Sequence, residues 1–263
     1  MIENTRTLID THCHLDMKAY DKDLDSVLAR ASETGVKTII TIGIDVPSSI
    51  EAVRLAENYS QVYAAVGIHP HDVANAVEDD FHTLARLAKH DKVIGYGEIG
   101  LDYAKQYSPE DLQKNVFSKQ LELAKELGLP VIIHDRDAHE DTLRLLRKHA
   151  PFPSGGVMHC FSGDTALANS LMELGFFISI PGIVTFKNAH YLHQVAATLP
   201  LQSMLIETDG PFLAPVPYRG KRNEPSYIIH TAERIAQLAG VSLDTVVAAT
   251  TKNAQTLFKL NPL

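Results

Sequence analysis

Positive charge is in short supply here: 24 Lys and Arg stand against 32 Asp and Glu, leaving −8. Duplex binding draws much of its affinity from neutralised phosphates. A general DNA-coating role is therefore excluded, and any contact with nucleic acid must be local, at a site whose own cations supply the positive charge. Cysteine is nearly absent. Cys13 and Cys160 are the only two, too few for a disulfide framework, which points to a reducing compartment such as the cytoplasm. No apolar run approaches the ~20 residues that cross a bilayer, so no membrane partner is expected. Residues 1–6 lack the pattern of a secretory signal. Low-complexity and disordered compositions are missing too, since 45% hydrophobic and 21% charged residues are ordinary for a globular chain. No linker or shift in composition divides the chain, so a single domain over residues 1–263 is expected. Nothing marks a required protein partner.

What is present is an alternation. Short apolar, β-branched runs predict strands at Leu8–His14, Thr38–Ile42, Val62–Ile68, Val93–Glu98, Val131–His134, Gly156–His159, Phe176–Ile180 and Ser203–Asp209. Segments with helical spacing lie between them. One runs from Asp21 to Thr34 before Gly35, one follows a Ser48 or Ser49 cap to Tyr59, and one covers Asp79 to His90. Ser108-Pro109-Glu110 predicts the start of the longest, which Gly128 ends. Eight strand–helix units in this length predict a closed parallel TIM (β/α)₈ barrel of the α/β class. The alternative, an open doubly wound sheet, has no Gly-x-Gly-x-x-Gly turn after its first strand to support it.

Barrel enzymes carry their chemistry at the C-terminal strand ends. In a strand, residues i and i+2 share a face, so His12 and His14 aim together. The other strand ends add Glu98, His134, His159 and Asp209. The plain alternative is that some of these are ordinary core or supporting groups. Four imidazoles and two carboxylates exceed one catalytic zinc, which takes about three protein ligands. Two divalent ions sharing a carboxylate fit the count. Such a pair would leave the site net positive, suited to an anionic phosphate, and paired ions activate water and clamp both oxygens of an in-line displacement. His69 and His71 end the third strand and could touch substrate or simply build a turn. Asp102 and Tyr103 could shape the rim, and Arg136 could bind phosphate or form a salt bridge. Arg219, Lys221 and Arg222 make a basic patch beside the site, where a solvated charge run is the ordinary reading. Cys13 and Cys160 are expected to face the helix layer as small buried hydrophobes.

Several stretches then resemble, along essentially the whole chain, the TatD family of metal-dependent hydrolases. They are Asp10-Thr11-His12-Cys13-His14, Gly67-Ile68-His69-Pro70-His71, Gly97-Glu98-Ile99-Gly100-Leu101-Asp102, Ile133-His134-Asp135-Arg136, His159-Cys160-Phe161-Ser162-Gly163, Glu207-Thr208-Asp209 and Tyr218-Arg219-Gly220-Lys221-Arg222-Asn223-Glu224-Pro225. The resemblance implies an amidohydrolase-like TIM barrel. It implies metal ligation by His12, His14, Glu98, His134, His159 and Asp209, with Glu98 bridging. It also implies deoxyribonuclease chemistry, 3′-to-5′ exonuclease action on single-stranded DNA or RNA. On this reading Glu98 and Asp209 are catalytic, and His69, His71, Arg136, Arg219 and Arg222 contact substrate. Histidine-rich ligation suits zinc, manganese or nickel, and the resemblance adds magnesium. The competing enzyme class is a metal-dependent amide or ester hydrolase, such as an aminoacyl-tRNA deacylase. An extended base-stacking groove would separate the two. A closed structural metal site is the non-enzymatic alternative.

Overall fold

The structure, a computed structural model, describes residues 6–261. The N-terminal residues read above for a signal pattern lie almost wholly outside that range. Eight strands form one parallel sheet in sequence order. They are β1 (Leu8–Cys13), β2 (Val36–Ile42), β3 (Val62–Val66), β4 (Val93–Asp102), β5 (Val131–Arg136), β6 (Gly156–Met158), β7 (Phe176–Ile180) and β8 (Met204–Ile206). The first and last strands meet: the Asp209 N–H donates to the His12 carbonyl at 2.9 Å, and the His14 N–H to the Gly210 carbonyl at 2.7 Å. That is the expected barrel. Helices cross between strands, α1 (Leu24–Glu33), α2 (Val46–Asn58), α3 (Glu78–Leu87), α4 (Glu110–Leu127), α5 (His139–His149), α6 (Thr165–Glu173) and α7 (His190–Thr198), with α8 (Ile228–Ala239) and α9 (Leu243–Phe258) after β8. No helix among the described residues is long and apolar enough to cross a membrane.

Strand alternation divides the buried residues into two layers. Leu8, Ile39, Val131, Ile133, Met158 and Ile178 face the helices. Ile9, Ile40, Ile132, Val157 and Leu205 fill the barrel, where Leu257 and Phe258 of α9 pack against them. Above this apolar plug the interior turns polar. Alternation from Ile132 and Val157 carries His134 and His159 inward, as expected. It does not do so for β1. Counting from Ile9, Cys13 should point in and His12 out, yet Cys13 packs in the helix-facing layer. A bulge reverses the parity: Asp10 pairs with Ile39 and Cys13 with Thr41, three residues against two. A second bulge, between Tyr96 and Ile99 opposite Val131 and Ile133, does the same in β4. Gly97 sits in it, where a Cβ would stand 2.5 Å from the Ile132 carbonyl oxygen. Only glycine lets the strand pass that close while Glu98 swings to the centre.

Three local expectations are corrected. Asp45, not Ser48 or Ser49, caps α2, its carboxylate accepting the Ser48 N–H at 2.8 Å. Ser108 makes no cap for α4. Its hydroxyl donates to the His71 carbonyl at 3.1 Å instead. The β8 ladder stops at Ile206, and Asp209 takes a left-handed turn with φ 56°.

Candidate metal centre

Glu98 is the hub. It is 2% exposed, and its two oxygens face different partners. Oε1 lies 2.7 Å from His134 Nδ1, 3.1 Å from His159 Nε2 and 3.5 Å from His69 Nε2. Oε2 lies 3.3 Å from His12 Nε2 and 3.8 Å from His14 Nε2. Asp209 Oδ1 joins the second group, 3.5 Å from His14 Nε2 and 3.9 Å from His12 Nε2. The structure therefore brings together all six residues expected as ligands, and it adds His69. The cluster opens into a cavity of ≈ 530 Å³ that His71, Asp102, Arg136, Phe212 and Leu213 help to line.

Supporting carboxylates hold the rings. Asp102 Oδ2 sits 3.1 Å from His134 Nε2 and 2.8 Å from His71 Nε2. Its Oδ1 accepts the Lys105 N–H at 2.8 Å. Glu207 Oε1 lies 2.9 Å from His159 Nδ1, off the N–H axis, so the contact is an ion pair rather than an aligned hydrogen bond. The same oxygen accepts the Cys160 N–H at 2.7 Å. Asp10 accepts the Thr208 N–H at 2.9 Å and the His12 N–H at 3.3 Å, joining β1 to β8 beneath the site. Sequence reasoning gave Asp102 only a rim role and missed Glu207 and Asp10. One signal was available: Glu207 stands two residues before Asp209, the spacing that shares a face in the strand the sequence predicts through Asp209.

The donors fit divalent ions. Burial, helped by the neighbouring His159, pushes His12 down to about 3, so its ring is neutral with a lone pair available. His14 donates from Nδ1 to the Ile42 carbonyl at 3.1 Å, leaving Nε2 as the free donor atom. Burial opposes charge on His134 as well, but Asp102 and Glu98 outweigh it and lift the ring to about 9. His14 and His159 are raised for the same reason by their own carboxylates. Protons here balance buried carboxylates, a task that divalent cations perform equally. Among the described residues, four groups of potential ligands each have their donor atoms within 4.8 Å of one another, and Glu98 belongs to two of them. His69 differs: its Nδ1 accepts the His71 N–H at 3.1 Å, so its neutral ring carries the proton on Nε2, facing Glu98.

The sequence profile of the family described as TatD related DNase matches residues 9–259. The chain belongs to the TatD family. A Bacillus subtilis protein named as an uncharacterized metal-dependent hydrolase is 45% identical over 254 residues, covering 97% of this chain and 100% of its own. A Klebsiella pneumoniae TatD, named as a 3′-5′ ssDNA/RNA exonuclease, is 34% identical and covers 97% of this chain and 98% of its own. The crystal structure of a TatD homologue from Escherichia coli superposes with a TM-score of 0.93 at 33% identity, over 99% of this chain and 100% of that one. As a TatD protein the chain is a metal-dependent hydrolase.

Within this TatD site, several substrate-side expectations change. His69, His71 and Arg136 line the cavity, whereas none of the three basic-loop residues does. Arg222 is turned away, donating to Asp23 at 2.7 and 2.8 Å and to the Ala19 carbonyl at 2.6 Å. Arg219 lies over the Phe186 ring at 4.5 Å, and Lys221 over Tyr218 at 5.7 Å. Cys13 is buried beside Tyr20 as expected. Cys160 is not a buried hydrophobe facing the helices. The chain leaves β6 through a left-handed turn at Cys160, φ 44°, which breaks strand alternation and brings that residue to the cavity wall.

Proposed function

We propose that this chain is a two-metal phosphodiesterase acting on single-stranded DNA or RNA from the 3′ end, in the reducing cytoplasm. The observation that carries the reading is the divided Glu98 carboxylate beneath an open cavity, one oxygen toward His134 and His159, the other toward His12 and His14. The relative named as an exonuclease on single strands supports the substrate class. Two ions held by these residues and Asp209 would bring a water's pKa near 7 and draw charge from both oxygens flanking phosphorus. Magnesium, manganese and zinc are the candidates.

The chain's own groups do the rest. Asp209, beside His14 and on the cavity wall, accepts the water's proton at a carboxylate oxygen. His69, on the cavity wall with its Nε2–H toward Glu98, steadies that carboxylate beside the substrate. His71, held by Asp102, and Arg136, exposed on the cavity wall, meet non-bridging phosphate oxygens. The test is a screen of the purified protein with each metal on 3′- and 5′-labelled single strands, duplexes, simple esters and aminoacyl-tRNA. Shortening of single strands from the 3′ end is expected. Ester or aminoacyl cleavage without strand cleavage would replace this reading with the deacylase one.

A further inference from the structure

Two large apolar side chains stand at the lip of a cavity otherwise lined with histidine and carboxylate. Phe212 is 48% exposed and Leu213 38%, and both line the cavity. The Phe212 ring stands edge-on to His14, centroids 6.1 Å apart and planes at 69°. Scattered exposed apolar residues need no explanation, but this pair is held out by construction. Leu213 has φ 54°, a conformation that a branched side chain adopts only where its surroundings impose it. Those surroundings are visible. Asn223, fully buried, donates from Nδ2 to the carbonyls of Phe212 and Thr208, each at 2.7 Å. Its own N–H donates to the Pro211 carbonyl at 3.0 Å. The Tyr20 hydroxyl in turn donates to the Asn223 carbonyl at 2.7 Å. Below the loop, Gly182 leaves room for Leu213: a Cβ there would stand 3.0 Å from the Leu213 carbonyl oxygen. The segment is a fixed plate fastened from behind, not a loop free to fold its aromatic away.

We infer that Phe212 is a stacking platform for a nucleobase of the substrate strand, next to the phosphate held over Glu98. This rests on the nucleic-acid reading above. The charge inventory favours it. The chain carries −8, and in the basic loop Arg222 is spent on Asp23 while Arg219 lies over Phe186. A phosphate grip from this loop is therefore weak, and affinity must come from another contact. An unpaired base presents an apolar face that a paired one hides within its duplex, and stacking on an aromatic ring accepts any base. A flat ring with no hydrogen-bonding atom beside the metal histidines fits that requirement. It gives single-strand preference without sequence preference. A small ester would gain nothing from it.

The experiment uses the full-length, metal-loaded protein, with Phe212→Ala and Phe212→Tyr beside wild type. Binding and cleavage are measured on a fluorescent single-stranded oligonucleotide and on an abasic strand of equal length, with metal content and melting temperature matched. Stacking by an aromatic of this kind implies that Phe212→Ala weakens the base-bearing strand about tenfold. The abasic strand should be unaffected, and Phe212→Tyr should restore the difference. Wild-type behaviour of Phe212→Ala on both strands overturns the platform, and so does an equal loss on both, which would make Phe212 a wall of the cavity. If wild-type protein neither binds nor cuts any strand, the nucleic-acid reading itself falls, and this inference with it.

Discussion

Glu98→Gln tests the centre most directly. The substitution keeps the volume and one oxygen and replaces the other with an amide nitrogen, which cannot ligate a cation. Oε1 faces His134, His159 and His69, and Oε2 faces His12 and His14. Whichever way the amide turns, one histidine set loses its anion and the other keeps an oxygen. One ion should be lost or greatly weakened, not both. An ion present at a hundred times its dissociation constant stabilises the fold by ~2.7 kcal/mol. At this chain length each kcal/mol moves the melting temperature by ~2–4 °C, so each ion contributes ~5–11 °C. Chelation should then lower wild type by about twice what it lowers Glu98→Gln. Turnover should fall by at least ~10²-fold, or ~2.7 kcal/mol of barrier. The ion-free variant at pH 8 should be no less stable than wild type, because the imidazoles can release their protons once the buried carboxylate is gone. The assays are melting curves with and without chelator, elemental analysis and strand cleavage. Wild-type turnover at matched metal content, or an undiminished response to chelator, would remove Glu98 from the shared position.

Three further outcomes are expected. Ion binding must displace the protons that His14, His134 and His159 hold against their carboxylates, with His134 at about 9, so affinity tightens as pH rises toward 9. Calorimetry in buffers of different ionisation enthalpy should show proton release, and a pH-independent affinity would contradict the arrangement; in the ion-free protein the raised His134 stabilises the fold below about 6.5, a contribution that fades as pH climbs through about 9. Asp102→Asn loosens both His134 and His71, which should weaken metal affinity ~10–100-fold and also lower the ion-free melting temperature, because Asp102 holds the His134 proton in that form; unchanged metal titrations would count against it. Glu224→Gln breaks the paired contact with Arg30 at 2.8 and 2.7 Å and should cost about 1–2 kcal/mol, discounted for the exposure of Arg30. Burial raises the Glu224 carboxyl, but Arg30 and Ser226 hold it below the ordinary carboxylate value, so the contribution is present above about pH 4.3 and lost below it; equal melting of the two proteins at pH 7 would refute the pairing.

The barrel could be read from the chain because each strand is a separate apolar run between helical periods. His134 and His159 could be read too, since each follows by simple alternation from a core residue two positions earlier. His12 and Glu98 reach the same pocket by another route. Each depends on an extra residue in its strand, and a count from Ile9 alone sends His12 to the wrong face. The Gly97-Glu98 pair hints at the second bulge, but no residue type marks the first. The basic loop failed for a different reason. Composition records that Arg222 is charged but cannot say that Asp23, 199 residues away in sequence, is already its partner. Cys160 was misplaced because the chain turns left-handed at Cys160 itself, so strand alternation does not carry through to its side chain.

That failure explains why Arg222-Asn223-Glu224 forms a unit. Arg222 reaches Asp23, Glu224 reaches Arg30, and Asn223 between them holds the carbonyls of Thr208 and Phe212. The two flanking ion pairs fasten the segment to α1 and the residues before it, packed outside β1 and β2. The central amide fastens the chain after β8 to the segment. Asp209 lies one residue beyond Thr208, so the clamp fixes where its carboxylate sits relative to His12 and His14 across the barrel's closing seam. The other ties across that seam are the two backbone hydrogen bonds of His12 and His14, the carboxylate of Asp10, the Thr11 hydroxyl on the Ile206 carbonyl and the Cys13 thiol on the Gly210 carbonyl. A stretch of sequence that looks like a phosphate grip thus serves to position the chain before Asp209. The distance it controls is the one between Asp209 and the two histidines of β1.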